Sequence, residues 1–135
     1  MPACSSYVGF VGGENYQTLQ LSPDICLSSS VIHHEMIHTL GKELNFTISL
    51  PFLKKGFKHE HSRPDRDEYI DVRYKNIPLD KRYNYDKMPA NRFDSFDQPY
   101  DLKSIMHYGG VGFLSEEARA AGERGTIFYK GTDVL

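Results

Sequence analysis

The chain has 135 residues, and a hydrophobic content of 39% is enough to build the core of one ordinary domain. Sixteen Lys and Arg stand against eighteen Asp and Glu, for a formal net charge of −2 with both signs interleaved. That balance argues against nucleic acid or an anionic membrane as a partner. No apolar run approaches the roughly 18 residues that a transmembrane helix needs. We expect no signal peptide in this chain, because no basic segment followed by an apolar one opens it.

The first predicted elements are a β-hairpin and a helix. Residues 7–11 and 16–21 flank the turn signal Gly12-Gly13 and predict the hairpin. Apolar residues then recur at helical spacing over 31–40, and serines at 28–30 offer hydroxyls for the N-cap. This is the best-defined helix that the sequence predicts.

Three further segments follow in chain order. Residues 69–74 alternate with period two and predict a strand. Residues 78–99 are rich in Tyr, Asn, Asp and Pro, a composition that favours an irregular but tethered segment. Residues 115–121 predict a short helix that ends before Gly122.

The two cysteines lie at the ends of the predicted hairpin segment. Cys4 and Cys26 are either joined in one disulfide or are two buried free thiols. The number of cysteines leaves both alternatives open.

The predicted helix carries the pattern H-E-x-x-H. His34 and His38 are four residues apart, so their imidazoles lie on one helix face and can bind one metal ion. Glu35 is placed to act as the general base on a metal-activated water. Zinc suits this arrangement, because neutral imidazoles are good zinc ligands. His33 lies off that face, and we interpret it as structural.

Four segments together resemble the astacin family of zinc metalloendopeptidases, whose signature is H-E-x-x-H-x-x-G-F-x-H-E-x-x-R-x-D-R-D. Residues 34–41 supply the first half of that signature and residues 57–67 the second. The opening Cys-Ser-Ser-Tyr-Val-Gly and the Ser-Ile-Met-His-Tyr at 104–108 also resemble astacin segments, in the family's order.

The resemblance implies an α+β, metzincin-type fold in which a small twisted sheet packs on the active-site helix and zinc lies in a cleft between two subdomains. It makes His34, His38 and His59 the ligands of one Zn²⁺ per chain and Glu35 the catalytic base. It also makes Tyr108 the tyrosine that coordinates zinc and swings aside to stabilise the oxyanion.

Other residues acquire roles from the same resemblance. Met106 would be the methionine of the turn beneath the metal. Cys4 and Cys26 would form a family disulfide, which implies an oxidising compartment and a secreted protein. Glu60 matches a glutamate that contacts the new N-terminus after propeptide removal.

The chain departs from the family pattern at residues 42–56, fifteen residues for which the pattern has no counterpart. His59 consequently follows His38 by 21 positions instead of six. Residues 42–56 are either a tolerated loop or a translated short intron. The longer spacing also allows an alternative third ligand, Glu60.

We therefore expect residues 1–135 to be a partial astacin-like peptidase domain that lacks its N- and C-terminal flanks. The expected function is zinc-dependent hydrolysis of peptide bonds in a protein or peptide substrate. The alternative is an inactive zinc-binding or misfolded remnant, caused by the insertion and the truncations. Cleavage preference and oligomeric state are not determined by the sequence.

Overall fold

The computed structural model describes residues 4–9, 16–40, 57–95 and 97–130. The chain divides into two compact units, Met1–Lys58 and His59–Leu135. The insertion predicted at residues 42–56 lies outside the described residues.

The first unit contains a two-stranded antiparallel sheet. Strand β1 (Cys4–Ser6) pairs with β2 (Leu19–Leu21), and Ser5 lies opposite Gln20. The antiparallel pairing was predicted, but the first strand lies earlier than residues 7–11. Tyr7 and Val8, whose residue types suggested a strand, follow β1 and are exposed. The hairpin connection at 10–15 lies outside the described residues.

Helix α1 (Ser29–Thr39) confirms the predicted helix. It begins where the hydroxyl of Ser28 accepts the N–H of Val31 at 3.3 Å. It ends where the N–H of Leu40 donates to the backbone oxygen of Ile37 at 3.1 Å. The start of α1 therefore follows from a local sequence signal, the cap at Ser28.

Two contacts join β1 and the segment after it to the rest of the first unit. The disulfide between Cys4 and Cys26 is present, which confirms the pairing implied by the family resemblance. The backbone N–H of Gly9 donates to the backbone oxygen of His38 at 2.8 Å. The sheet segment is thereby fixed against α1, as the predicted α+β arrangement requires.

The second unit has its own two-stranded antiparallel sheet. Strand β3 (Ile70–Val72) pairs with β4 (Ile127–Tyr129). The predicted strand at 69–74 is confirmed but is shorter, because Tyr74 already belongs to a 3-10 turn. The buried side chains around this sheet form the core: Ile70, Ile77, Tyr85, Tyr100 and Ile127.

Helix α2 (Glu116–Ala120) confirms the second predicted helix. The hydroxyl of Ser115 accepts the N–H of Ala118 at 3.1 Å, and Gly122 follows with a φ of +80°. A left-handed residue of this kind commonly ends a helix, and glycine adopts it without strain. Within the described residues, no helix is both long and apolar enough to span a membrane.

The irregular segment predicted at 78–99 is tethered by a buried tyrosine. It contains 3-10 turns at Leu79–Tyr85 and Ala90–Arg92. The side chain of Tyr85 is fully buried, and its hydroxyl donates to the backbone oxygen of Gly112 at 2.5 Å. The segment is thus part of the packed unit and not a free linker.

A buried arginine connects three parts of the second unit. Arg66 is 3% exposed, and its Nη1 donates to the backbone oxygens of His61 and Tyr85. Its Nη2 lies 3.0 Å from the hydroxyl of Tyr74. Hydrogen bonds of this kind let a buried guanidinium connect separate segments, because its donors lie in a fixed planar arrangement.

Candidate functional site

The first half of the predicted metal site is a pair of histidines on α1. The Nε2 atoms of His34 and His38 are 3.1 Å apart, and the ring centroids are separated by 4.7 Å. Two ligands of a tetrahedral zinc ion, each about 2.0 to 2.1 Å from it, lie about 3.3 Å apart. The spacing of these two nitrogens therefore fits a shared metal ion.

The tautomer of His38 is fixed by the backbone. Its Nδ1 lies 2.7 Å from the backbone oxygen of Phe57, a distance at which Nδ1–H donates and Nε2 keeps its lone pair. Burial lowers the pKa of His38, although the hydrogen bond to Phe57 opposes this shift. The neutral, Nδ1-protonated imidazole is the form that binds metal through Nε2.

The predicted general base is buried beside this pair. Glu35 is 6% exposed, and its Oε2 lies 2.8 Å from the hydroxyl of Ser6 on β1. His33 differs from its neighbours on α1, because it is exposed and its Nδ1 lies 3.2 Å from the hydroxyl of Ser29. The structural role of His33 stays a prediction.

In the second unit, His59 and Tyr108 lie together. The ring centroid of Tyr108 is 4.5 Å from that of His59 and 4.0 Å from that of His61. His59 and His61 stack at 5.2 Å. The three rings form one aromatic cluster that fixes His59 and Tyr108 relative to each other.

Both polar groups of the Tyr108 backbone are held by histidines. The N–H of Tyr108 donates to Nδ1 of His61 at 3.4 Å, while Nε2 of His61 lies 3.0 Å from the backbone oxygen of Asn84. The backbone oxygen of Tyr108 lies 2.7 Å from Nδ1 of His107, whose Nε2 lies 2.7 Å from the hydroxyl of Tyr100. Burial lowers the pKa of His107 and raises the pKa of Tyr100. Neutral forms of both groups fit these contacts, with Nδ1–H of His107 donating to Tyr108 and the hydroxyl of Tyr100 donating to Nε2.

The turn that contains Met106 is linked to the His59 segment. Met106 is buried, and its backbone oxygen accepts the N–H of Glu60 at 3.0 Å. Oε1 of Glu60 accepts from Nη1 of Arg63 at 3.0 Å and from the N–H of Asp101 at 2.9 Å. Arg63 also binds both oxygens of Asp65, which lowers the pKa of that carboxyl group. One oxygen of Glu60 is thus engaged in contacts within the second unit.

The predicted site residues occur in two sets. His34, Glu35 and His38 lie together on α1, and His59 and Tyr108 lie together in the second unit. The supporting residues Ser6 and His61 were not predicted, because their partners are far away in the sequence. His107 was not predicted either, although its partners Tyr108 and Tyr100 lie one and seven residues away. For Ser6 a weak signal was present: the period-two alternation of a strand separates its side chain from that of Ser5.

A helix with two imidazoles one turn apart and a carboxylate beside them is typical of the metallopeptidase class. A model of the peptidase family described as "Astacin" matches residues 53–126. The chain belongs to the astacin family.

Relatives support the same assignment. The chain is 41% identical over 110 residues to "Zinc metalloproteinase nas-14" of Caenorhabditis elegans, which is 82% of this chain and 18% of that protein. It is 37% identical over 110 residues to "Low choriolytic enzyme" of Oryzias latipes, 82% of this chain and 33% of that protein. Any continuous stretch of 110 residues in this chain contains residues 34–108, so each alignment spans all predicted site residues.

A solved structure is also similar. High choriolytic enzyme 1 of the medaka Oryzias latipes, described as a hatching enzyme zinc-protease, matches with a TM-score of 0.75 and 29% identity. The match covers 98% of this chain and 54% of that chain. This chain therefore spans only part of the relatives that it resembles.

Proposed function

We propose that this chain is the zinc-binding and catalytic part of a metalloendopeptidase that hydrolyses peptide bonds in proteins or peptides. One observation carries the proposal: α1 places two facing imidazole nitrogens beside a buried carboxylate. A purely structural zinc site would have four protein ligands and would not require a carboxylate beside them.

His34, His38 and His59 are the proposed ligands of one zinc ion. His38 is already in the required tautomer through Phe57, which precedes His59 by two residues. Covalent geometry alone keeps the Cα atoms of Phe57 and His59 within about 7 Å. His59 is a better third ligand than Glu60, because one carboxylate oxygen of Glu60 already accepts from Arg63 and Asp101.

Glu35 is the proposed general base. When bound, zinc polarises a water molecule and lowers the pKa of that water toward about 7. Glu35 takes the proton of the attacking water as oxygen bonds to the scissile carbonyl carbon. The carboxylic acid so formed then gives that proton to the leaving amine, which restores the carboxylate.

Tyr108 is the proposed oxyanion stabiliser. Its hydroxyl donates a hydrogen bond to the carbonyl oxygen as negative charge develops there. The backbone hydrogen bonds to His61 and His107 fix the residue from which this hydroxyl projects. A swing of the Tyr108 side chain would have to break its ring contacts with His59 and His61, while its backbone stays in place.

We propose an extracellular location for this activity. Disulfides persist in oxidising compartments, and the Cys4–Cys26 bridge requires one. The similar proteins include a choriolytic enzyme and a hatching enzyme zinc-protease.

Zinc stoichiometry and casein hydrolysis, measured on the same preparation, test the proposal. We expect one zinc per chain and measurable cleavage. Glu35→Gln should retain zinc and lose about 10²- to 10⁴-fold in kcat, because it removes a general base but no ligand. One bound zinc without cleavage would favour the inactive remnant.

The third ligand needs its own comparison. His59→Ala should weaken zinc binding, whereas Glu60→Gln should leave zinc affinity close to that of the parent chain. The opposite result would identify Glu60 as the ligand. A parallel chain without residues 42–56 shows whether that segment limits zinc binding: equal affinity in both chains identifies it as a tolerated loop.

A further inference from the structure

Ser6 is not one of the predicted site residues, but it contacts the proposed general base Glu35. Its hydroxyl oxygen lies 2.8 Å from Oε2 of Glu35 and 2.8 Å from the backbone oxygen of the same residue. Ser6 is part-buried at the end of β1, and Glu35 is buried on α1. The two residues are 29 positions apart, so only the fold brings them together.

The position of Ser6 is fixed from both sides. Two residues before it, Cys4 is bonded to Cys26. Three residues after it, Gly9 donates its N–H to the backbone oxygen of His38, one turn of α1 beyond Glu35. Ser6 itself pairs with Leu19 in the sheet. The hydroxyl is therefore presented to α1 by a rigid strand.

We propose that Ser6 is a positioning residue that fixes the orientation of the Glu35 carboxylate. The hydroxyl donates to Oε2, which leaves Oε1 as the oxygen available to take a proton. The backbone oxygen of Glu35 lies inside α1, where the N–H four residues later is its regular partner, so the carboxylate is the acceptor that gains from Ser6. Ser6 keeps its own proton throughout.

The catalytic consequence rests on the proposed function. A carboxylate that is free to rotate presents its proton-accepting oxygen in the right direction for only part of the time. A hydrogen bond to one oxygen orients the carboxylate before the substrate binds. Such preorganisation raises kcat more than it affects substrate binding.

Ser5 provides a matched control. It is the neighbouring serine on the same strand, but it is exposed and its side chain lies on the opposite face. Ser5→Ala and Ser6→Ala remove the same hydroxyl oxygen from adjacent residues. Ser6→Thr keeps a hydroxyl at the position and tests whether the hydroxyl is the group that orients the Glu35 carboxylate.

Carbon-13 NMR of the glutamate side-chain carboxyls tests the contact directly, in the zinc-loaded chain and without any substrate. The Glu35 signal is assigned by its loss in Glu35→Gln. We expect Ser6→Ala to shift this signal, whereas Ser5→Ala and Ser6→Thr leave it close to its position in the parent chain. An unmoved Glu35 signal in folded Ser6→Ala would overturn the proposal.

Kinetics on a fluorogenic peptide then test the consequence. For Ser6→Ala we expect kcat to fall about 10- to 100-fold, the equivalent of one lost hydrogen bond to a charged group, with KM and zinc affinity unchanged. Ser6→Thr should restore most of kcat. A fall in zinc affinity together with kcat would mean that Ser6 only supports the fold, which overturns the proposal. An inactive parent chain whose Glu35 signal still responds to Ser6→Ala would refute the proposed function and support the contact.

Discussion

Substitution of His61 provides a demanding test of how the second unit holds its aromatic cluster. The side chain is fully buried and connects the N–H of Tyr108 to the backbone oxygen of Asn84. His61→Leu substitutes an apolar side chain of comparable size and leaves both backbone groups without this partner. Each such loss costs about 1 to 3 kcal/mol in a buried setting. Because both bonds are part-buried and one is long, at 3.4 Å, we expect a total near 2 kcal/mol.

Urea unfolding followed by far-UV circular dichroism measures this loss, since the chain contains no Trp for fluorescence. His61→Gln is the matched control, because its amide can accept from Tyr108 and donate to Asn84. It should retain most of the stability. If His61→Leu unfolds within about 0.5 kcal/mol of the parent, or if both variants are equally destabilised, the two hydrogen bonds do not stabilise the unit as reasoned.

Three further predictions concern stability. Reduction of the Cys4–Cys26 disulfide, which spans 22 residues, should cost about 3 kcal/mol of unfolding free energy through loop entropy, measured by urea titration with and without reductant. The hydrogen bond from Arg63 lowers the pKa of Asp65, so its contribution to stability is present above the unfolded-state pKa of about 4 and is lost as pH falls through the lower folded-state value. The difference in unfolding free energy between parent and Asp65→Asn should therefore shrink below about pH 4, and a constant difference would contradict this cause. Ile127→Ala, at a fully buried position on β4, should cost about 2 to 5 kcal/mol by thermal or urea unfolding.

The features that the sequence predicted well are those with local causes. The start of α1 follows from the cap at Ser28, and the bounds of α2 follow from the cap at Ser115 and the left-handed Gly122. The pairing of His34 with His38 follows from the helical repeat alone. In each case the interacting groups are within about one helical turn, so no tertiary contact is needed.

The features that were missed depend on contacts between distant segments. Tyr7 and Val8 have the residue types of a strand, but β1 ends before them because the strand register is set by pairing with β2. The positions of Ser6 and His61 matter only because α1 and the turn at 104–108 approach them in the fold. Strand alternation can place the side chains of Ser5 and Ser6 on opposite faces, but a single sequence does not identify their hydrogen-bond partners.

The hydrogen bonds of Arg66 have a consequence for how such chains are recognised and how they can lose function. Arg66, Arg63 and Glu60 form much of the segment that looks most like an astacin, yet their contacts hold the second unit together and none of them is a proposed proton carrier. Much of the family signature in this segment therefore reflects contacts that stabilise the fold, whereas the proposed general base lies outside it, on α1. A descendant of this chain could replace Glu35, keep every one of these contacts, and still fold and be recognised as an astacin. A family match in this segment is evidence of the fold. Whether the general base is present has to be checked separately on α1.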